Sequence, residues 1–392
     1  MRGRKSLGTG IGAALLVALV ACSSGQPSQV GSAGPAGSES VSNSSVLDPA
    51  QLATDGIVGK GKNGETPAAA DVLKLSDTDK AKVAAGKYKI AVAMQTMDID
   101  WSRLTLNGIE DTCKSLGIEI VGVTDAKFDV QQQIADIENL ITKKPDLIIS
   151  IPTDDVATAE AYKKVSAAGI KLVFIHMPAA GLTWPKDYQS VVAPDNQGNG
   201  EIAAKALSSY IPQNGSIGIV DYAVNFYTTN QRTLRVKEWY AQNRPDVTVK
   251  YQGFTDTNNV GPVTANFVTA NPNLNGLFII WDSPATQSIA SLRSAGVHLP
   301  ITTIDLGNED AVEMASPDSY IKAVGAQRPY DQGVAEALAA ANALLGNQTP
   351  AWVALPAIPV TPKNILTSYK EIFRTDPPKE LTDACAASGA CG

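Results

Sequence analysis

Short apolar, β-rich runs alternate along most of the chain with amphipathic stretches of helical period. Tyr88 to Met94, Ile118 to Val123, Leu147 to Ile151 and Lys171 to His176 read as strands, and Trp101 to Leu116, Val130 to Thr142 and Asp155 to Ala168 as the helices between them. Near-continuous apolar strands separated by helices predict a parallel sheet covered on both faces. After Asp195-Asn196 the pattern restarts, with strands at Ser216 to Asp221, Val247 to Gln252, Leu277 to Trp281 and Ile301 to Asp305. The fold class is therefore α/β, with two similar units in series. A strand at Tyr320 to Gln327, a helix at Tyr330 to Leu345 and an extended stretch from Trp352 to Pro362 are too few for a third sheet, so they return to the first two.

The first residues follow a different pattern. Arg2, Arg4 and Lys5 precede an apolar run from Ile11 to Ala21 that ends in Leu19-Val20-Ala21-Cys22. The run is too short for a hydrocarbon core of about 30 Å, and its charged start and small residue before cysteine have the form of a bacterial lipoprotein cleavage site. Residues 1–21 are read as a signal peptide and Cys22 as the lipidated N-terminus. The protein is then exported and anchored by lipid to the outer face of the cell membrane. Residues 23–47 carry one charge, Glu39, among Ser, Gly, Pro, Val and Gln, a composition that buries no core. The flexible linker is assigned to residues 22–70, and about 25 such residues reach roughly 25–30 Å.

Charge narrows the partners. The chain has 32 Lys and Arg against 39 Asp and Glu, and loss of the three leader cations takes its net charge from −7 to −10. That argues against nucleic acid or anionic lipid as partner. No segment beyond Ala21 is long and apolar enough to span a membrane. The catalytic motifs Gly-x-Ser-x-Gly, His-Glu-x-x-His and Cys-x-x-Cys are absent, and with two histidines a metal site has no support. Gly198-x-Gly200-x-x-Ala203, with Asp221 beyond it, superficially meets a dinucleotide fingerprint, but an exported protein meets no nicotinamide pool. Asp154 and Asp155 are adjacent, a poor glycosidase pair and a good helix cap. No enzyme, cofactor or metal is expected. Cys385 and Cys391 are expected to close a small disulfide near the C-terminus, which leaves Cys113 as a buried apolar residue.

Four motifs carry a resemblance over Tyr88 to about Leu366. They are Ile151-Pro152-Thr153-Asp154, Val191-Val192-Ala193-Pro194-Asp195-Asn196, Thr303-Ile304-Asp305 and Gln327-Arg328-Pro329-Tyr330-Asp331-Gln332-Gly333. In that order and spacing the chain resembles the periplasmic sugar-binding proteins of the ribose-binding type, the solute receptors of ABC importers. The resemblance implies two Rossmann-like lobes joined by a three-crossing hinge, the type I periplasmic binding protein fold. On that scheme residues 86–194 plus 328–352 form the N-terminal lobe, 195–327 plus 353–375 the C-terminal lobe, and 376–392 a tail holding the disulfide. It implies a monomeric receptor that captures a sugar or sugar alcohol by hinge closure and delivers it to an ABC permease. A receptor of the same fold for a nucleoside, a furanose signal or an amino acid, or one that signals to a membrane kinase, is the alternative.

The physical reason for the site stands apart from the resemblance. In an open parallel sheet, ligands gather where strand C-termini and helix N-termini share an edge. Gln95, Asp98 and Trp101 follow the first strand. The resemblance implies polar groups and a stacking aromatic there, matched by Gln95 and Trp101. Plain helix packing for Trp101 and a capping role for Asp98 or Asp100 stay open. His176 and Met177 stand where the ribose-type pattern has an Asp-Arg pair, so ribose itself is an unsafe assignment. In the second unit Asn225 and Phe226 precede Arg232 and Arg235, either of which matches the family's ligand-gripping arginine. Trp281 and Asp305 end strands, and Asp305 either accepts from adjacent hydroxyls or caps a helix near Asn308. Gln327 matches a hinge-side ligand amide.

Overall fold

The computed structural model describes residues 46–392, so the signal peptide, Cys22 and the linker as far as residue 45 lie outside the described residues. The apolar runs become strands, the inner ones buried on both faces and the edge strands partly exposed. In chain order these are β1 (Ala68–Ala69), β2 (Lys89–Met94), β3 (Glu119–Asp125), β4 (Leu147–Ser150), β5 (Lys171–Ile175) and β6 (Ser190–Pro194). They are followed by β7 (Ser216–Tyr222), β8 (Thr248–Phe254), β9 (Gly276–Ile279), β10 (Ile301–Ile304) and β11 (Ile321–Ala326), then β12 (Trp352–Leu355) and β13 (Ile358–Val360). One sheet runs β1-β12-β6-β5-β4-β2-β3 with every pairing parallel. The other runs β13-β11-β10-β9-β7-β8 and is parallel except for β13. β4 and β9 are buried at every position, the pattern of strands covered by helices on both faces. Two lobes result, each an α/β unit.

Local chemistry sets the helix ends that matter. Asp129 accepts from the amide of Gln132 and caps the helix Val130–Thr142, and Gly117 ends the helix Asp100–Leu116 at φ +69°. Asp195, at the crossing between the lobes, caps the helix Asn196–Ser208 through the amide of Gly198. A Cβ at Gly200 would stand 2.5 Å from the carbonyl of Arg232. The glycines that mimic a dinucleotide fingerprint are thus accounted for by a cap and by helix packing.

Three segments fall differently from the sequence expectations. The extended stretch from Trp352 divides into two strands: β12 pairs in the first sheet and β13 in the second, so the third crossing lies at Pro356-Ala357 and the first lobe extends past residue 352. The strand pairs where its apolar faces are covered, and its burial at all four positions reflects that. Composition marked residues up to 70 as flexible, yet residues 46–70 pack on the folded body. Leu52 is buried among Ile202, Ala206 and Ala323, a burial that stabilises by about 1.5–3 kcal/mol. The tail forms a helix, Lys379–Ser388, whose Leu381 and Cys385 enter the core of the second lobe, and Cys385 and Cys391 are joined by a disulfide. Cys113 is buried and unpaired. Among the described residues no helix is long and apolar enough to cross a membrane.

Candidate functional site

The C-terminal ends of both sheets face one cavity of about 60 Å³, several times the roughly 10–15 Å³ that a single ordered water needs. From the first lobe come Gln95, Ile99 and Trp101 beyond β2, Phe128 beyond β3, Thr153 beyond β4 and His176 beyond β5. From the second come Tyr222, Phe226, Thr228, Thr229 and Arg232 at and beyond β7, Trp281 beyond β9, Asp305 beyond β10 and Gln327 beyond β11. Eight of the eleven residues expected from the sequence line it. The other three do not. Asp98 lines a separate outer groove with Asp100 and Asn308, Asn225 is exposed and bonded to Asn230, and Arg235 is turned to Glu201 at 3.0 Å.

Of the two arginines, Arg232 is the one that is buried in the cavity wall. Arg232 donates through Nε to Asn196 Oδ1 at 3.1 Å and through Nη1 to the carbonyl of Ile280 and to Asp305 Oδ2, each at 3.4 Å. Gln327 Nε2 donates to Asp305 Oδ1, and Gln327 Oε1 accepts from the indole N–H of Trp101 at 3.1 Å. A single network therefore ties the second lobe to the helix that opens after β2. Asp305 serves this network and caps no helix. Burial lifts its carboxyl above the usual carboxylate range against the pull of Arg232 and Gln327, and burial likewise lowers Arg232 against the pull of Asp305.

The first-lobe wall is wired otherwise. Gln95 Oε1, Thr153 Oγ1 and both ring nitrogens of His176 are buried without a hydrogen-bond partner, as is Thr228 Oγ1 across the cavity. Burial, with Arg232 second, pushes His176 down to about 3, while the neighbouring Gln332 side chain pulls the other way. The ring is neutral at any ordinary pH. The Trp101 ring lies 4.7 Å from it, so Trp101 packs and lines the cavity at once. His176 at φ +63°, Asp305 at +70° and Phe128 at +60° hold left-handed backbone, a conformation costing on the order of 1–3 kcal/mol that concentrates at functional sites.

The lobes meet beside this cavity. Asp100 accepts from the backbone and side-chain nitrogens of Asn308 at 3.0 and 2.9 Å, so it serves the lobe contact and the helix cap falls to Ile99. Asp154 accepts from the amides of Val156 and Ala157, the turn-capping role its position suggests.

Residues 90–348 match the periplasmic binding protein domain. The chain belongs to the periplasmic binding protein family. This periplasmic binding protein is 24% identical over 270 residues to the ribose import binding protein of Bacillus subtilis, covering 69% of this chain and 86% of that one. With its Escherichia coli counterpart it shares 22% over 279 residues, 71% and 92% of the two chains. An ABC transporter solute binding protein from Agrobacterium vitis, bound with α-D-tagatopyranose, superposes with a TM-score of 0.66 at 22% identity over 75% of this chain and all of that one. Another from Actinobacillus succinogenes, with bound D-allose, gives 0.62 at 25% over 71% and 99%. The type I fold and the place among binding proteins of ABC importers, which are not enzymes, follow from these matches.

Ile99, Phe128, Thr153, Tyr222, Thr228 and Thr229 line the cavity without having been singled out as site residues. For Phe128 and Thr153 a signal was present, their place just beyond a strand; for Ile99 and the two threonines on the helix Tyr227–Asn243 the sequence offers none.

Proposed function

We propose that this protein is a solute-binding receptor that encloses a neutral sugar or sugar alcohol between its lobes and delivers it to an ABC permease. The observation that carries this reading is the make-up of the cavity wall. Its charged residues, Arg232 and Asp305, are spent on each other, and His176 is neutral, so no unpaired charge faces the ligand. An amino acid would bring a carboxylate and an ammonium with nothing to meet them. A sugar instead presents apolar C–H faces to Trp101, Phe226 and Trp281, and hydroxyls, which donate and accept, to Gln95, Thr153 and Thr228. The relatives named for ribose import and the neighbours holding tagatose and allose support the ligand class without fixing the sugar. Binding energy then comes from touching both lobes at once, which favours closure.

On this reading the leader exports the receptor and Cys22 carries the lipid that tethers it, as the form of Leu19-Val20-Ala21-Cys22 supports. Labelling with a radioactive fatty acid that Cys22→Ser abolishes would support the tether; unchanged labelling would remove it.

The deciding experiment is a thermal-shift screen of residues 23–392 against pentoses, hexoses, polyols, nucleosides and amino acids. Ligand at a hundred times its dissociation constant adds about 2.7 kcal/mol, a shift of a few degrees. A response confined to one sugar or polyol family is expected. A response to amino acids or nucleosides alone would overturn the ligand class.

A further inference from the structure

Ahead of the region matched by the family, residues 47–73 run over one flank of the hinge and touch both lobes. The segment is fixed first to the second lobe. Leu52 is buried against Ile202, Ala206 and Ala323, and Lys205 donates to the carbonyl of Ala53 at 3.0 Å. It then meets the crossing itself, where the amides of Val58 and Gly59 donate to the carboxylate of Asp195 at 2.6 and 2.9 Å. The same carboxylate caps the helix that opens the second lobe. At Gly61 a Cβ would stand 2.8 Å from the Trp352 ring, so the chain passes where no side chain fits. It ends in the first lobe, with β1 paired in parallel to β12 and Leu73 in the core.

The tightest part lies between Lys60 and Lys62. Tyr227, which opens a helix of the second lobe, donates its hydroxyl to the carbonyl of Lys60 at 2.9 Å. The ammonium of Lys62 pairs with Asp155, just beyond β4 of the first lobe, and the two side chains are only 23% and 8% exposed. Two residues of extended chain span at most about 7 Å, so the lobes cannot separate far on this flank while both ties hold. We propose that residues 47–73 are a clasp that limits how far the hinge opens in the ligand-free receptor. A receptor whose competent state is well populated binds with little of its affinity lost to closure. This inference does not depend on which ligand the cleft takes.

The test needs no ligand. Spin labels at Gln131→Cys and Asn258→Cys, exposed positions on opposite lobes, report the interlobe distance by pulsed electron resonance. The labels are placed in residues 23–392, which lack Cys22; there Cys113 is buried with its thiol pushed up to about 12 by burial, and Cys385 and Cys391 are joined, so none of the three takes label. The labelled parent should give one narrow distribution. Lys62→Ala with Tyr227→Phe, neither of which lines the cavity, should add a population several ångströms longer under conditions where circular dichroism shows the variant still folded, although the loss of the partner of Asp155 lowers its melting temperature, and Lys62→Arg should behave as the parent. Lys62→Ala alone should move the distribution in the same direction. Identical distributions in parent and double variant, or a parent already as broad as the variant, would overturn the clasp and leave the receptor reading untouched.

Discussion

In the second lobe Arg232, Asp305 and Gln327 bond to one another along the cavity wall, whereas across from them Gln95, Thr153 and His176 carry buried polar atoms bonded to nothing. Buried polar groups in folded proteins are paired as a rule, and those left over need an account. One wall is finished without a ligand. The other has capacity that a ligand would fill, Thr228 being its one counterpart opposite. The second lobe therefore supplies a rigid floor and the first lobe most of the unmet hydrogen bonding, so substitutions on the two sides should fail in different ways.

The largest effect is expected on the finished side. Arg232→Ala leaves the Asp305 carboxylate buried without its cation, and breaking such a pair costs about 3–5 kcal/mol. Chemical denaturation should show that loss in the ligand-free protein, with ligand binding lost as well. Unchanged stability would mean that the network is not formed in solution.

Next comes Phe226, half-buried in the cavity wall and packed against apolar residues of the first lobe. Phe226→Ala should weaken a bound sugar by about 1–3 kcal/mol, as truncation of aromatic anchors does, with a smaller change in melting temperature. Calorimetric titration with the sugar found by screening separates the two. Equal affinity would reduce Phe226 to a packing residue.

The alternation of apolar runs gave the two sheets, their restart after Asn196 and the ends of most strands, because a strand buried on both faces has to be apolar throughout. It also pointed to the residues just beyond each strand, since the edge where a parallel sheet gathers ligands follows from strand direction alone, whereas Arg232 and Gln327 were reached through the family resemblance. Arg232 and Arg235 looked equivalent because three residues apart they share a helical face, and only the position of Glu201 on the neighbouring helix separates them. Residues 46–70 defeated composition for a related reason. Their order comes from Asp195, Asp155 and Tyr227, partners more than ninety residues away, and no local pattern announces such contacts.

His176 offers a sharper comparison through pH. Its folded-state value lies near 3, below the ordinary histidine value, so on acidification the unfolded chain takes up a proton that the buried ring refuses. The contribution of the neutral ring is complete above the unfolded value and is lost as pH falls from about 6.5 toward 3, by up to about 1.4 kcal/mol per pH unit. His176→Asn should remove that part of the acid slope from a series of denaturation curves. An unchanged slope would show that the ring already titrates freely in the fold.

The smallest expected change bears most directly on the difference between the walls. Thr153→Val exchanges a hydroxyl that is buried without a partner for a methyl group of the same size. The free protein should keep its stability or gain slightly, because an unmet buried hydroxyl is itself a cost. The same substitution should weaken the sugar by about 0.5–1.5 kcal/mol, the worth of one hydrogen bond. The opposite result, a less stable protein with undiminished affinity, would mean that Thr153 finds its partner within the fold, and the first-lobe wall would then be as finished as the second.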